Sequence, residues 1–191
     1  QAIEEVVVPA AKRIYERRRQ KMGLDTLRPW DTEVDPTGLP ALKPFSSVEE
    51  LTQKSEAIFH HVDPVLGGYF STMVSENLLD LGNRKHKAPG AYSIDLPDIR
   101  RPFIFANAVG VHDDVATVLH ESGHAFHYFE SSQLPYYQQV NPPMEFAEVA
   151  SMGMELLASP YLTRDQGGFY THAEAARARI EHLEGSICFW P

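Results

Sequence analysis

Apolar residues recur every three or four positions over most of the chain, and this spacing predicts amphipathic helices. The pattern gives six helical stretches, at residues 2–22, 47–61, 63–81 (after an opening turn), 112–132, 141–159 and 171–187. Polar residues that commonly cap helices precede several of these runs. The expected N-caps are a serine at 46–47 with a glutamate three residues later in a capping box, Asp113 or Asp114, Asn141, and Thr171 with Glu174 in a second capping box.

Between the third and fourth helices, the stretch "AYSIDL" at residues 91–96 alternates apolar and polar residues, which is typical of a half-buried strand. A second strand is expected at about residues 102–107, and we expect the two to pair as a small sheet. A proline-rich connector at about residues 28–45 is expected to lie extended. The predicted fold class is therefore mainly α with a small β-sheet.

Composition excludes several classes of function. The formal net charge is −9, which argues against nucleic acid as a partner, because phosphate binding needs clustered Lys and Arg. No apolar stretch approaches the roughly 20 residues of a membrane span, so no membrane is expected. Cys188 is the single cysteine, so a disulfide framework within one chain is impossible. A reducing, cytoplasmic location is predicted.

The stretch "HESGH" at residues 120–124 carries the main chemical signal. Residues four apart lie on the same face of a helix, so His120 and His124 can point at one ion. Glu121 is rotated about 100° from His120, at 3.6 residues per turn. It can reach a water molecule beside the ion. The H-E-x-x-H pattern thus encodes two zinc ligands and one general base.

A catalytic zinc site needs a third protein ligand, and three residues are candidates. His127 follows on nearly the same stripe of the helix as the first two histidines. A straight helix cannot easily wrap three successive turns around one ion, so His127 is interpreted as a packing or supporting residue. Glu145 and Glu148 lie on the next, strongly apolar helix, where a buried carboxylate needs a partner. Spacing alone does not choose between these two glutamates.

The stretches "FANAVGVHDDVATVLHESGHAFHYFES" and "PPMEFAEVASMGMELLASP" resemble the oligoendopeptidase F branch of the thimet oligopeptidase family, which are zinc metallopeptidases that cleave short peptides. The likeness extends to "LRPWD", "LLDLGNRKHKAPGAYS" and "RPFIFAN", and so covers nearly the whole chain. The resemblance implies a zincin-like catalytic region within a larger, mainly helical metallopeptidase fold.

The resemblance also implies roles for single residues. Zn²⁺ is expected on His120, His124 and Glu148, because the family's third ligand lies in a segment that matches "EFAEVAS". Glu121 is expected to be the general base. Residues expected to support the ligands are Glu155, which would orient a ligand histidine, His127 and Asp114.

Residues 1–191 are expected to be part of one catalytic domain that is truncated at both ends. In the family, a His and a Tyr that stabilise the tetrahedral intermediate come from a segment expected beyond Pro191, so this chain alone is predicted to be weak or inactive. Expected partners are short peptides, added as a strand at 91–96 or 102–107, and the rest of the same protein or a second copy. Two alternatives stay open: an inactive zinc-binding fragment, and a metal-free helical interaction module.

Overall fold

The computed structural model describes residues 1–32 and 34–189, and it divides into two compact units. One unit comprises residues 43–172, and the other comprises residues 1–42 together with 173–191. The described residues form six α-helices and one three-stranded sheet, so the predicted fold class is confirmed. No helix within the described ranges is both long enough and apolar enough to cross a membrane.

Four helices build the unit of residues 43–172. They are α2 (Val48–Val62), α3 (Pro64–Ser75), α4 (His112–Ser131) and α5 (Met144–Ala158). Phe59 of α2 contacts Phe70 of α3 and Phe126 of α4, with both pairs of ring centroids 4.9 Å apart. All three rings are buried, and burying a side chain of this size contributes about 1.5–3 kcal/mol. This aromatic core fixes α4 against α2 and α3.

The sheet contains β1 (Leu79–Gly82), β2 (Tyr92–Leu96) and β3 (Arg101–Ala108), in the order β1-β3-β2. The predicted pairing of β2 with β3 is confirmed and antiparallel, and β2 is an edge strand. Every second residue of β3 is buried, including Pro102 and Ile104, because that face packs toward α4.

The helical prediction for residues 63–81 is wrong at its end, because residues 79–82 form β1. Helix α3 ends at Ser75, and Asn77 then adopts a left-handed φ of 57°, which turns the chain out of the helix. Leu79 and Asp80 pair in parallel with β3, more than twenty residues later in the chain. That distant partner, which local spacing cannot reveal, decides between strand and helix.

A serine caps α2, as predicted, and it is the second of the pair: the Ser47 hydroxyl accepts a hydrogen bond from the Glu50 backbone N–H at 3.2 Å. The predictions for α4 and α5 are wrong. Val111 is the residue before α4, and Asp114 lies in the first turn, where its carboxylate accepts a hydrogen bond from the Val111 backbone N–H. Pro143, rather than Asn141, precedes α5. Pro143 has an extended backbone (φ −56°, ψ 150°), and no side chain caps this helix start.

The unit of residues 1–42 and 173–191 contains α1 (Val8–Lys21), entered through a π-helical turn at Ile3–Val7, and most of α6 (His172–Phe189). Arg177 of α6 holds the proline-rich connector: it donates to the Pro40 carbonyl at 2.8 Å and pairs with Asp35 at 2.8 Å. Helix α1 contacts α6 through an ion pair between Arg17 and Glu184. The connector is held by these polar contacts, but the expectation that it lies extended is wrong in part, because Pro29–Asp31 form a 3-10 helix and Gly38 adopts a left-handed φ of 70°.

Candidate metal centre

Helix α4 places His120 and His124 one turn apart on the same face, as the spacing predicts. Their ring centroids lie 4.9 Å apart, and the ring planes are nearly perpendicular at 81°. Both side chains are largely buried, with 28 % and 23 % of their surface exposed. The two imidazole rings therefore lie close together and are largely shielded from solvent.

Helix α5 brings Glu148 to these histidines. One carboxylate oxygen of Glu148 lies 3.3 Å from Nε2 of His120, and the other lies 3.7 Å from Nε2 of His124. Ligand atoms of these three residues all lie within 4.8 Å of one another, and they form the one such group of metal-ligating side chains among the described residues. Glu145, the other candidate, is exposed and lies outside the group.

The spacing of the three groups fits a tetrahedral ion. At metal–ligand distances of about 2.0–2.1 Å, neighbouring ligand atoms of a tetrahedron lie about 3.4 Å apart. The separations of 3.3 Å to one Glu148 oxygen and 3.7 Å to the other lie near this value, and no two ligand atoms of the group are more than 4.8 Å apart. Two neutral imidazoles and one carboxylate also form a donor set that zinc commonly takes in catalytic sites. The residues present therefore fit the metal that the sequence predicts.

Gly123 allows α5 to approach α4 closely enough for this contact. A Cβ atom on residue 123 would lie 2.6 Å from the Ala150 carbonyl oxygen and 2.6 Å from Ser151 Cα. Both distances are far below ordinary van der Waals contact. Ser151 is itself fully buried at this crossing. The glycine is thus required by packing, between the two histidines of the motif.

Two hydrogen bonds orient the candidate ligands. Nδ1 of His120 lies 2.8 Å from Oε1 of Glu155, seven residues beyond Glu148 on α5. Because a carboxylate accepts, Nδ1 carries the hydrogen and Nε2 of the neutral ring is left as the ligand atom. The Ser151 hydroxyl donates to Oε2 of Glu148 at 2.8 Å. Sequence reasoning missed Ser151, although its i+3 spacing from Glu148 on a helix was the available signal.

Burial and neighbouring charges shift the acidity of these groups in different directions. The hydrogen bond to Glu155 raises the pKa of His120. Burial lowers the pKa of His124, because a desolvated imidazole disfavours the proton. Burial also raises the pKa of Glu121, which is only 9 % exposed. A buried carboxylate with a raised pKa is suited to proton transfer near neutral pH.

Glu121 lies against the edge strand of the sheet, where the backbone N–H of Ser93 in β2 donates to its carboxylate. The charges of His120 and Glu148 act on it, which places it beside the three candidate ligands. It contributes no ligand atom to their group. Glu121 thus adjoins both the candidate metal position and the free edge of β2.

The remaining two predicted residues lie elsewhere. His127, half-buried on α4, contributes no atom to the ligand group, and its charge acts on His124 and on Asp95 in β2. Asp114, the third residue expected to support the ligands, contacts the chain before α4. One of its carboxylate oxygens accepts from the backbone N–H groups of residues 109, 110 and 111, at 2.8–2.9 Å. Asp114 therefore anchors the chain entering α4.

Comparison with known proteins identifies the family to which the chain is similar. The family model of peptidase family M3 matches residues 1–187. An oligoendopeptidase F homolog of Mycoplasma genitalium is 35 % identical over 88 residues, which is 46 % of this chain and 14 % of the relative. The group B oligopeptidase PepB of Streptococcus agalactiae serotype III is 25 % identical over 158 residues, or 83 % of this chain and 26 % of the relative.

Solved structures are similar over almost all of the chain. PZ peptidase A, crystallised with an inhibitor, has a TM-score of 0.85 and 30 % identity, covering 98 % of this chain and 32 % of that one. A Bacillus anthracis protein assigned as an oligoendopeptidase F has a TM-score of 0.85 and 26 % identity, covering 98 % and 33 %. The chain thus spans about a third of the length of these structures.

Proposed function

The chain belongs to peptidase family M3, and we propose that it forms the zinc-binding part of an oligopeptidase that hydrolyses short peptides. The observation that carries the proposal is the convergence of His120, His124 and Glu148 beside the buried carboxylate of Glu121. Two relatives support the substrate class, since one is named an oligoendopeptidase F homolog and the other an oligopeptidase.

Nε2 of His120, Nε2 of His124 and the Glu148 carboxylate would hold Zn²⁺. When bound, the metal supplies Lewis acidity, which polarises a scissile carbonyl and makes water a much stronger acid. Glu155 keeps the His120 ring in the tautomer that offers Nε2. Ser151 keeps Oε2 of Glu148 directed at the same position. These two contacts support a ligand set whose orientation is fixed before substrate arrives.

Glu121 acts as the general base. Its carboxylate takes a proton from the attacking water and delivers it to the nitrogen of the leaving amine, which leaves as a neutral amine. Two features support this role. Glu121 lies beside the ligand group but contributes no atom to it, so its carboxylate is available for a proton, and its burial raises its pKa. The hydrogen bond from the Ser93 N–H fixes the carboxylate beside β2.

The peptide is bound as an added strand at the free edge of β2. This strand is paired on one side with β3, so its other edge can accept a peptide backbone. Of the two segments expected to accept a peptide, residues 102–107 lie in the central strand, whose edges are both paired. The edge of β2 is thus the favoured position, and it leads the peptide past Glu121.

Metal analysis of purified variants tests the ligand set. We expect the unmutated chain to retain about one zinc ion per chain after dialysis, as a three-residue site predicts, and His120→Ala and Glu148→Ala to lose it. Glu145→Ala is the matched control, because Glu145 is exposed on the same helix outside the ligand group. Equal zinc loss in the Glu145 and Glu148 variants would refute this assignment. A chain that binds no zinc above neutral pH would instead be the metal-free helical module.

A quenched-fluorescence peptide assay tests the general base. Glu121→Gln should keep its zinc and lose about 10²–10⁴ of the hydrolysis rate, the usual contribution of general acid–base catalysis. Because the chain spans about a third of the compared structures, we expect the 191-residue chain alone to turn over weakly or not at all. Zinc binding with no hydrolysis in the unmutated chain would identify it as an inactive zinc-binding fragment.

A further inference from the structure

A cavity of about 630 Å³ lies within the unit of residues 43–172, beside the edge strand. One wall is formed by β2 and the turn that follows it, and the opposite wall by the end of α4 and the segment after it. The first wall includes Ser93, Asp95 and Arg100, and the second includes Tyr128, Ser132 and Asn141. The proposed function assigns no role to this space.

The cavity adjoins the candidate metal centre through one residue. Ser93 lines the cavity, and its backbone N–H donates to Glu121. A peptide that passes Glu121 along the free edge of β2 therefore runs directly beside the cavity. A side chain or terminus of that peptide, a residue or two from the scissile bond, can enter it. The cavity is thus placed as a substrate subsite.

Asp95 is the acidic group of this cavity. In the antiparallel register, Ser93 lies opposite Ile104 and Asp95 opposite Pro102, both of which are buried. Directly opposed residues share a face of the sheet, so the side chain of Asp95 lies on the face toward α4. The carboxylate is half-buried there. Its pKa is raised by burial, which outweighs the opposing attraction of His127.

No described residue forms an ion pair with Asp95. A half-buried carboxylate without such a partner is compensated well by a cation that enters the site and donates hydrogen bonds to it. Arg100, on the same wall, is a cation and would disfavour a cationic group in the cavity. Its side chain is exposed, however, and the field of an exposed charge is strongly screened by water. The less solvated charge of Asp95 therefore dominates inside the cavity.

We propose that this cavity is a subsite of the peptidase and that Asp95 makes it selective for a cationic group of the peptide. The group is either a Lys or Arg side chain or the free amino terminus, which share the same chemistry. The inference rests on the proposed function, because it takes the ligand of the cavity to be a peptide passing Glu121.

Peptide binding to the zinc-loaded Glu121→Gln chain tests the proposal without turnover. Acetylated hexapeptides carry lysine at each position in turn, and the matched peptides carry norleucine, which has a similar shape and no charge. To test whether the cationic group is the amino terminus, a neutral hexapeptide with a free amino terminus is compared with its acetylated form. Calorimetry should show at least one lysine position, or the free terminus, binding about 10-fold tighter than its neutral match.

Asp95→Asn should abolish this preference while leaving zinc content and binding of the neutral peptide within about twofold, because the amide keeps the shape of the carboxylate and removes its charge. Asp98→Asn is the control, an exposed acid three residues later that is absent from the cavity wall. It should keep the preference.

The outcomes separate the two proposals. Equal binding of charged and neutral peptides, or a preference that survives Asp95→Asn, overturns the role of Asp95 and leaves the zinc peptidase proposal intact. A preference lost equally in the Asp98 control also overturns it, since the effect is then one of net charge. A chain that binds zinc but no peptide refutes the subsite, and a chain that binds neither refutes both proposals.

Discussion

Replacing Gly123 by alanine tests whether the close crossing of α4 and α5 builds the metal centre. The added Cβ would lie 2.6 Å from the Ala150 carbonyl oxygen and from Ser151 Cα. Ordinary contacts of this kind are about 3.5 Å, so α5 must retreat by about 1 Å. Glu148 lies on the retreating helix, two residues before Ala150. Its oxygens would then move beyond the separations that fit a tetrahedral ion.

The magnitude follows from two opposing terms. Overpacking a close-packed contact costs about 1–3 kcal/mol, while replacing glycine by alanine within a helix contributes about 0.5–1 kcal/mol in the opposite direction. A net loss of up to about 2.5 kcal/mol corresponds to a fall in Tm of up to about 5–10 °C for a chain of this size. The zinc affinity should fall as well, because the ligand position has shifted.

Thermal unfolding with excess zinc and with chelator, combined with zinc titration, measures both effects. Gly153→Ala is the matched control, since a Cβ there meets open space on α5. That variant should gain about 0.5–1 kcal/mol and bind zinc normally. If Gly123→Ala behaved like Gly153→Ala in both assays, the crossing of the helices would have no role in ligand placement.

Two further predictions follow from individual contacts. Glu155→Ala removes the acceptor of His120 Nδ1 and should weaken zinc binding about 10–100-fold, as measured by competition with a chromogenic chelator; unchanged affinity would contradict the orienting role. Asp80 accepts from Arg84 and from Lys87, whose side chain is 1 % exposed, and these partners hold the pKa of Asp80 at about 2. Because that pKa is lowered, its stabilisation is present above the ordinary value of 3.8 and lost as the pH falls toward 2. Asp80→Asn should therefore cost about 1–3 kcal/mol at neutral pH and progressively less between pH 4 and pH 2 in urea unfolding; a constant difference would refute it.

The part of the site that the sequence predicts is the part that depends on residue spacing within one helix. His120, Glu121 and His124 lie within five residues of one helix, so helical geometry alone places two imidazoles together and turns the carboxylate aside. The third candidate ligand belongs to another helix. Spacing could not distinguish Glu145 from Glu148, because the choice depends on which side of α5 faces α4. Resemblance to a family supplied the choice.

The features that sequence reasoning missed depend on distant partners. Strand β1 comes from a short apolar run, "LLDLG", that suits a helix until β3 provides its hydrogen bonds. Asp114 looks like an N-cap by position, yet it accepts from three backbone N–H groups preceding the helix. The contact of the Ser93 N–H with Glu121 has no local signal, since any residue of an edge strand has a backbone N–H.

The candidate ligands come from two helices, and this division has a thermodynamic consequence. An ion held by His124 and Glu148 would link two points of the chain across residues 125–147, as a covalent cross-link does. Closing a loop of about 25 residues with a permanent link removes about 3.5 kcal/mol of unfolded-chain entropy. A chelator would lower Tm in two ways. It would remove the interactions between the metal and its ligands, and it would restore the conformational entropy of the unfolded chain. The midpoint of unfolding would thus depend on free zinc concentration, which makes the melting curve a measure of the metal's affinity.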